Sequence, residues 1–421
     1  MTAPATANEL ATELKAQALA RANARSGNDA LGPMREQARA LLEDTPFPGP
    51  KHERWKYTSL RALEAGHLKA PAPTQQPVEV PPDLGFARLV FVNGHFHEAL
   101  STLPDTAGLQ VLRLNGEHEA RLSDAPASPF AWLNGAALED GLLLRVAART
   151  QLESPIHVLH IGESGEPACC DMRIRLEAGE QSEITLIEEY AGNGPIFTNA
   201  VTEIESAPAS RVMHYRLQHE APACLHIGSL ILQLAKDSHI RSEQFMSGST
   251  LRRNEVQAQL NEPGAELELN GAFIGRGSNH ADNQVCVEHR APHCTSRQVY
   301  KGMAGDKARL VFNGRIYIHP GAKDSSADLS NNNLLLSNSA EIDTKPELEI
   351  YNDDVICSHG TTVGQMDALQ LFYLRSRGIS EPEAQRMLGI GFINELLLAL
   401  PHESIADWAR PWLASEVTEA E

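Results

Sequence analysis

Residues 329–364 read LSNNNLLLSNSAEIDTKPELEIYNDDVICSHGTTVG, joining strand-like alternation to an incomplete set of metal-affine side chains. Cys357 and His359 stand two apart, and on a strand that spacing turns a thiol and an imidazole to one face. Such a pair suits iron, zinc or copper. A closed zinc site needs four ligands and a four-iron cluster normally takes four thiolates, yet only Asp353 and Asp354 lie nearby in sequence. The missing ligands would come from elsewhere, which makes the stretch read as an assembly surface. The alternative is structural: Cys357 packs as a small buried residue and His359 hydrogen-bonds a turn.

Upstream of this stretch a small-x-apolar signature recurs at Ser182/Ile184, Ser210/Val212, Ser238/Ile240, Ala265/Leu267, Ala308/Leu310 and Ala340/Ile342, the first three steps being 28, 28 and 27 residues. Near-constant spacing of short strands predicts a stacked β-solenoid in which each coil buries its apolar edge on the next. The later steps of 43 and 32 residues predict inserted loops. A β-sandwich with coincidental spacing is the competing fold. Stacking also gives the run Asn331-Asn332-Asn333 a use, since asparagines form ladders along stacked strands and satisfy backbone groups at corners; a solvated loop is the other reading.

Helical patterning flanks the solenoid. From Asn8 to about Leu42 the chain predicts two helices broken near Ser26-Gly27-Asn28, ended by Pro46, Pro48 and Pro50. The run APAPTQQPVEVPP at 70–82 reads as an extended connector, and Asn93-Gly94 between Leu89, Phe91 and Phe96 as a hairpin turn. Residues 130–148 read as a helix running into a strand. From about Asp367 three helices follow, punctuated by Gly378 and Pro401, with Leu396, Leu397, Leu398 and Leu400 expected mainly in a core. The expected domains are a helical and small-sheet region at 1–150, a solenoid at 151–366 and a helical region at 367–421.

A formal charge of −19 from 36 basic and 55 acidic residues disfavours nucleic acid and anionic membranes as partners. The N-terminus MTAPATANELATELKAQ lacks a basic region followed by an apolar run, and no apolar stretch approaches the roughly 18 residues of a membrane span. Six cysteines in so long a chain, two of them the adjacent Cys169 and Cys170, do not make a disulfide framework. The expectation is a cytoplasmic protein with free thiols.

Catalytic signatures are missing: there is no phosphate loop, Gly271–Gly277 does not match the dinucleotide fingerprint, and neither a G-x-S-x-G elbow nor an H-E-x-x-H helix occurs. A second metal-affine group, Cys286, His289, His293 and Cys294, has the residue types of a zinc site. Cys286 and His289 are three apart, however, and so face opposite ways on a regular strand; packed thiols and hydrogen-bonded imidazoles are the default. KHERWKYT at 51–58 interleaves Lys51, Arg54 and Lys56 with Trp55 and Tyr57, a composition that either stacks on a ligand ring or packs with snorkelling bases.

The blocks KHERWKYT, LVFVNG, SRQVYKG, FNGRIYI, NNNLLL, AEIDTKPELEIYNDDVICSHGTTVG and LFYLRSRGI stand in one order across nearly the whole chain. Together they resemble the SufB/SufD family of iron–sulfur cluster assembly proteins, and within it the SufD branch. The SufB branch is a poorer match, because it carries a cysteine near the position of Asn331 and a glutamate in place of the CSHG pattern. The resemblance implies a right-handed parallel β-helix, a non-enzymatic scaffold, pairing with SufB through the β-helix edge, and binding of the ATPase SufC through the C-terminal helices around Leu371 to Gly378. It further implies that His359, with Cys357 in the same block, faces a transient iron–sulfur cluster shared with SufB. Reduced flavin is associated with the whole assembly, but no motif here locates a flavin site. A homodimer in isolation is compatible with the same edge. Two other functions stay open at this stage: a carbohydrate-active β-helix enzyme, which would need paired carboxylates, and a stand-alone zinc-binding protein using Cys286, His289, His293 and Cys294.

Overall fold

The computed structural model describes residues 7–25, 29–49, 51–63, 68–71, 78–118, 120–123 and 128–417. The expected helix break at Ser26–Asn28, Pro50 and the middle of the proline-rich connector, 72–77, lie outside the described residues. Two helices, α1 (Ala7–Asn23) and α2 (Gly32–Asp44), fill the predicted helical stretch. They pack with α3 (Pro129–Ala137), whose first turn is capped by the Ser128 hydroxyl accepting from the Ala131 N–H. Leu14, Met34, Leu42 and Phe130 of these helices close over Phe197, Leu225 and Leu251 on the outside of a sheet.

The chain then forms a hairpin of β1 (Ala87–Val92) and β2 (His95–Phe96). Asn93 and Gly94 turn it with φ of 52° and 83°, the paired positive angles of a type I′ turn, and Phe91 faces Phe96 in register. A second antiparallel pair follows, β3 (Leu109–Arg113) with β4 (Leu142–Val146).

From there strands alternate between two sheets. One receives β5 (Ile156–Glu163), β7 (Glu183–Asn193), β9 (Arg211–Gln218), β11 (His239–Ser247), β13 (Glu266–Gly275), β15 (Thr295–Ala304), β17 (Ser325–Leu335) and β19 (Val355–Gln365). The other receives β6 (Ala168–Ala178), β8 (Ile196–Ser206), β10 (Leu225–Leu234), β12 (Leu251–Leu260), β14 (His280–His289), β16 (Arg309–Ile318) and β18 (Glu341–Ile350). Among the described residues this gives a ten-stranded sheet ending in β1-β2 at one edge and β19 at the other, and a nine-stranded sheet running from β3 to β18. Every pair from β5 onward is parallel, as are β1 with β5 and β4 with β6. The architecture is a parallel β-solenoid, with helices at both ends of the chain, and it incorporates strands from as early as Ala87.

The serine signature has a local cause. Ser182, Ser210 and Ser238 sit fully buried at a corner of successive coils, each hydroxyl donating to the carbonyl three residues back at 2.7–2.8 Å. Just before each serine the backbone is left-handed, at Gln181, Ala209 and Asp237. The N–H of that residue donates to the same corner of the next coil, as Gln181 does to Pro208 and Ala209 to Lys236. Stacked corners are thus tied along the solenoid axis as well as across each turn.

One part of the sequence reading is overturned. Ile184, Val212, Ile240 and Leu267 do stand one above another, but the column continues through Ser296, Ala327 and Cys357, in steps of 29, 31 and 30 residues. Leu310 and Ile342 belong to the opposite sheet, where Leu310 stands between Ala281 and Ile342. The apparent step of 43 residues is a crossing from one sheet to the other and needs no inserted loop. The signature misled because both corners of a coil favour a small residue followed by an inward apolar one.

The core lies between the sheets, built from Leu144, Leu176, Ile204, Leu232 and Leu260 on one side and Val158, Leu186, Ile240 and Leu267 on the other. Three C-terminal helices complete the chain: α4 (Ala368–Ser376), α5 (Glu381–Leu398) and α6 (Glu403–Val417). The last two lie on the outer face of the ten-stranded sheet, with Ile393, Leu397, Ile405 and Leu413 packed against Ile187, Tyr215, Phe245 and Met303. Leu396, Leu397 and Leu400 are in this core; Leu398 is 71% exposed. No helix among the described residues is long and apolar enough to cross a membrane.

Candidate functional site: the open end of the solenoid

Among the described residues β18 pairs with β16 and β19 with β17, and neither has a strand on its other side. The solenoid therefore ends on a bare coil whose inward-facing side chains are only partly covered. Ile356 is 77% and Val363 45% exposed, large apolar residues on an unpaired edge.

Cys357 and His359 are successive inward-facing positions of β19, as the strand spacing predicts. Cys357 stands over Ala327, half-buried against the core, and burial pushes its thiol above the ordinary value. His359 stands over Leu329 and is exposed at the mouth. Asp353 and Asp354 are in the bend before β19 and not on a strand; the Asp354 carbonyl accepts from the Asp324 N–H at 2.6 Å. They add nothing to the inward face.

Beneath the mouth lies a polar floor. Asn333 donates to Asn331 Oδ1 at 2.7 Å and to the Thr362 carbonyl of the last coil at 3.0 Å; Asn331 donates to the Tyr300 carbonyl at 3.3 Å, and the Thr344 hydroxyl to Asn331 Oδ1 at 2.8 Å. The asparagines do satisfy backbone groups of adjacent coils. They do so singly, however, and not as the expected ladder, because the neighbouring coils present Tyr300 and Thr361 in that column.

Deeper in the solenoid lies a polar interior that sequence reasoning missed. Glu188 accepts from Arg216 at 3.1 Å and from Tyr190 at 2.8 Å, and lies 2.9 Å from His214 Nε2. Burial raises the Glu188 carboxyl, but Arg216 and His214 outweigh it and hold the group well below the carboxylate range. One coil on, Glu220 meets His226 at 2.9 Å and Arg252 at 3.1 Å, and against the same burial these bring it down to about 2. His160, stacked on Tyr190 at 4.7 Å, is pushed by burial down to about 3. These carboxylates are matched by cations inside the protein, unlike the solvent-facing acid and base of a glycosidase.

The zinc reading of the second cysteine and histidine group fails on direction. Cys286 faces outward on β14 toward Arg54 and Arg315, whereas His289 turns inward, its Nε2 2.8 Å from the Ser296 hydroxyl. His293 is in a left-handed corner and Cys294 donates to the Glu262 carbonyl. Among the described residues no three His, Cys, Asp or Glu side chains converge on a metal position. KHERWKYT packs structurally: Trp55 is buried under the Arg253 guanidinium at 3.9 Å, and Thr58 donates to Asp282 at 2.5 Å.

A second exposed feature follows directly on β19. Helix α4 has no buried residue, and Leu369, Phe372 and Tyr373 are 73%, 69% and 57% exposed. Its start is fixed by Asp367, whose side chain accepts from the Leu369 N–H at 2.8 Å.

The family model of the SUF system FeS cluster assembly SufBD core domain matches residues 160–392, over half of the chain and including the open coil and α4. The chain belongs to the SufB/SufD family. It is 34% identical over 381 residues to the iron–sulfur cluster assembly protein SufD of Escherichia coli K12, covering 89% of this chain and 90% of that one. An iron–sulfur cluster assembly SufBD family protein of Synechocystis is 29% identical over 88% of each chain, and SufD of Bacillus subtilis 26% over 65% of this chain and 63% of its own. The likeness is thus to SufD members of the SufB/SufD family, and a role in iron–sulfur cluster assembly follows. The carbohydrate-enzyme alternative finds no support in these relatives.

Proposed function

We propose that this chain is a non-enzymatic scaffold of cytoplasmic iron–sulfur cluster assembly that becomes complete only when SufB covers the bare edge of β18 and β19. The observation that carries this reading is the ending of the inward column at Cys357 and His359 on a coil with no neighbour. An unpaired strand edge with exposed apolar residues is a template for strand addition. His359 offers an imidazole to the cluster, the cargo of the assembly, and Cys357 a thiol that would lose its proton on ligation; SufB supplies the remaining ligands.

The exposed apolar side chains of α4 support docking of the ATPase SufC around Leu371 to Gly378. Because α4 follows β19 directly, movement there is transmitted to the strand that carries His359. The division into 1–150, 151–366 and 367–421 then assigns a closed end, a stack of coils and a docking end. A right-handed coil is part of the same reading, in line with the general hand of parallel crossovers. We assign no residue to flavin.

The test is co-purification with SufB and SufC, wild type against His359→Ala. Intact assembly with a reduced cluster content is expected; normal cluster content in the variant would remove His359 from the mechanism. In the same format Phe372→Asp should lose SufC while keeping SufB.

A further inference from the structure

We propose that a pocket on the outer face of the nine-stranded sheet, walled by the segment KHERWKYT, binds a small carboxylate whose other end carries a hydroxyl or amino group. The pocket lies on β10 and β12, away from the edge strand β18, and the proposal stands independently of the assembly reading.

Two polar groups without a use in the fold point to it. Ser229 on β10 and Gln257 on β12 face outward, and with Ile231 and Glu255 they floor a cavity of about 200 Å3. Their exposures are only 5% and 9%. Among the described residues no hydrogen bond reaches the Ser229 hydroxyl or the Gln257 amide. Burying such groups without partners costs stability. Packing rules are broken in this way chiefly at functional sites, and here the orphaned groups line a cavity that can hold a partner for them.

The walls are stiff. Pro46, Pro48 and Trp55 form one side, Ser128 and Pro129 at the start of α3 another. Trp55 is fixed between the Arg253 guanidinium, 3.9 Å from its ring centre, and Phe130 at 5.7 Å. The pocket is therefore formed before anything enters it, which lowers the cost of binding.

Charge and hydrogen-bonding capacity select the ligand. Glu255 is already answered: its Oε1 accepts from Arg253 Nε at 3.0 Å and Nη2 at 2.8 Å. His52 and Arg54 line the same pocket from the exposed segment, and neither forms an ion pair among the described residues. The start of α3, a helix of nine residues, adds the positive end of its dipole. In a chain of net charge −19 this is a local surplus of positive charge, and a guanidinium beside an imidazole matches a carboxylate. Glu255 Oε2 can only accept, so the ligand must also bring an O–H or N–H donor, which Gln257 and Ser229 then answer from their side. The cavity is smaller than the about 300–1,000 Å3 of sites for drug-sized molecules. Hydroxy acids and amino acids share the required chemistry.

The test titrates the full chain with L-malate and with L-serine by isothermal calorimetry, beside succinate, which lacks the donor, and glycerol, which lacks the carboxylate. Binding of malate or serine at one per chain is expected, with each control weaker by about tenfold or more; malate against serine tells a hydroxy-acid site from an amino-acid site. Gln257→Leu should weaken binding by about tenfold and, by removing the orphaned amide, raise the melting temperature of the free chain. Arg54→Gln, on the exposed rim, should weaken binding to a similar extent with the melting temperature unchanged, and decides the matter if Gln257→Leu does not fold. Heat from neither malate nor serine, equal binding of all four compounds, or binding untouched by Arg54→Gln would overturn the proposal.

Discussion

Arg216 donates to the carboxylate of Glu188 at 3.1 Å, and both side chains are wholly shielded from solvent. Such a pair is costly to bury and more costly to break. Arg216→Met should destabilise the fold by about 3–5 kcal/mol, because it leaves a buried carboxylate unmatched, while Glu188→Gln in the same chain should recover a large part. Urea midpoints of the two single variants and the double variant measure the coupling.

Ala209 holds φ at +55° in an exposed corner, a conformation that costs a side chain roughly 1–2 kcal/mol, whereas glycine enters it freely. Ala209→Gly should therefore raise stability, by about 0.5–1 kcal/mol after the larger entropy of the unfolded glycine chain is subtracted. A lowered melting temperature would contradict the strain argument.

Gly271 makes room for the ring of Tyr300, its register partner on the neighbouring strand β15: a methyl group there would stand 2.7 Å from Cε1. Gly271→Ala should cost about 1–3 kcal/mol by overpacking. Tyr300→Leu in the same background should remove most of that cost, and non-additivity of the two changes in denaturant unfolding checks the contact.

His160 and His289 are held, chiefly by burial, at about 3 and about 4. Below the ordinary imidazole value of about 6.5 the unfolded chain takes up protons that the folded chain refuses. Stability contributed by these neutral rings is thus full above that value and is lost as the pH falls from about 6.5 toward 4. Replacing one of them, His160→Phe, should make the acid slope shallower by about one proton, about 1.4 kcal/mol per pH unit in that window. An unchanged slope would mean that the ring already titrates normally.

The repeating corners were legible because one chemistry recurs at fixed spacing: a serine hydroxyl closing on the carbonyl three residues back. The face carrying Cys357 and His359 was legible for the same kind of reason, since parity on a strand is fixed by covalent geometry. The polar interior was not. In β9, RVMHYRLQ, alternation suggests that His214 and Arg216 face water while Tyr215 and Leu217 face the core. Here His214 and Arg216 turn into the solenoid toward Glu188, and Tyr215 and Leu217 turn outward under α5 and α6. Both faces of the strand are covered, so polarity along it no longer reports which side is inside. The step of 43 residues failed for a related reason, because Ala308 and Ala265 serve equivalent corners of different sheets.

The unbroken column from Ile184 to Cys357 bears on how such a chain can change length. Inserting or deleting one residue within β19 ahead of Cys357 would invert parity and point thiol and imidazole to the outside. Adding or removing a complete coil of about thirty residues would leave both aimed as before, since each turn repeats the phase of the last. Descendants of this protein can therefore be taller or shorter by whole storeys while the fittings on the top floor stay usable.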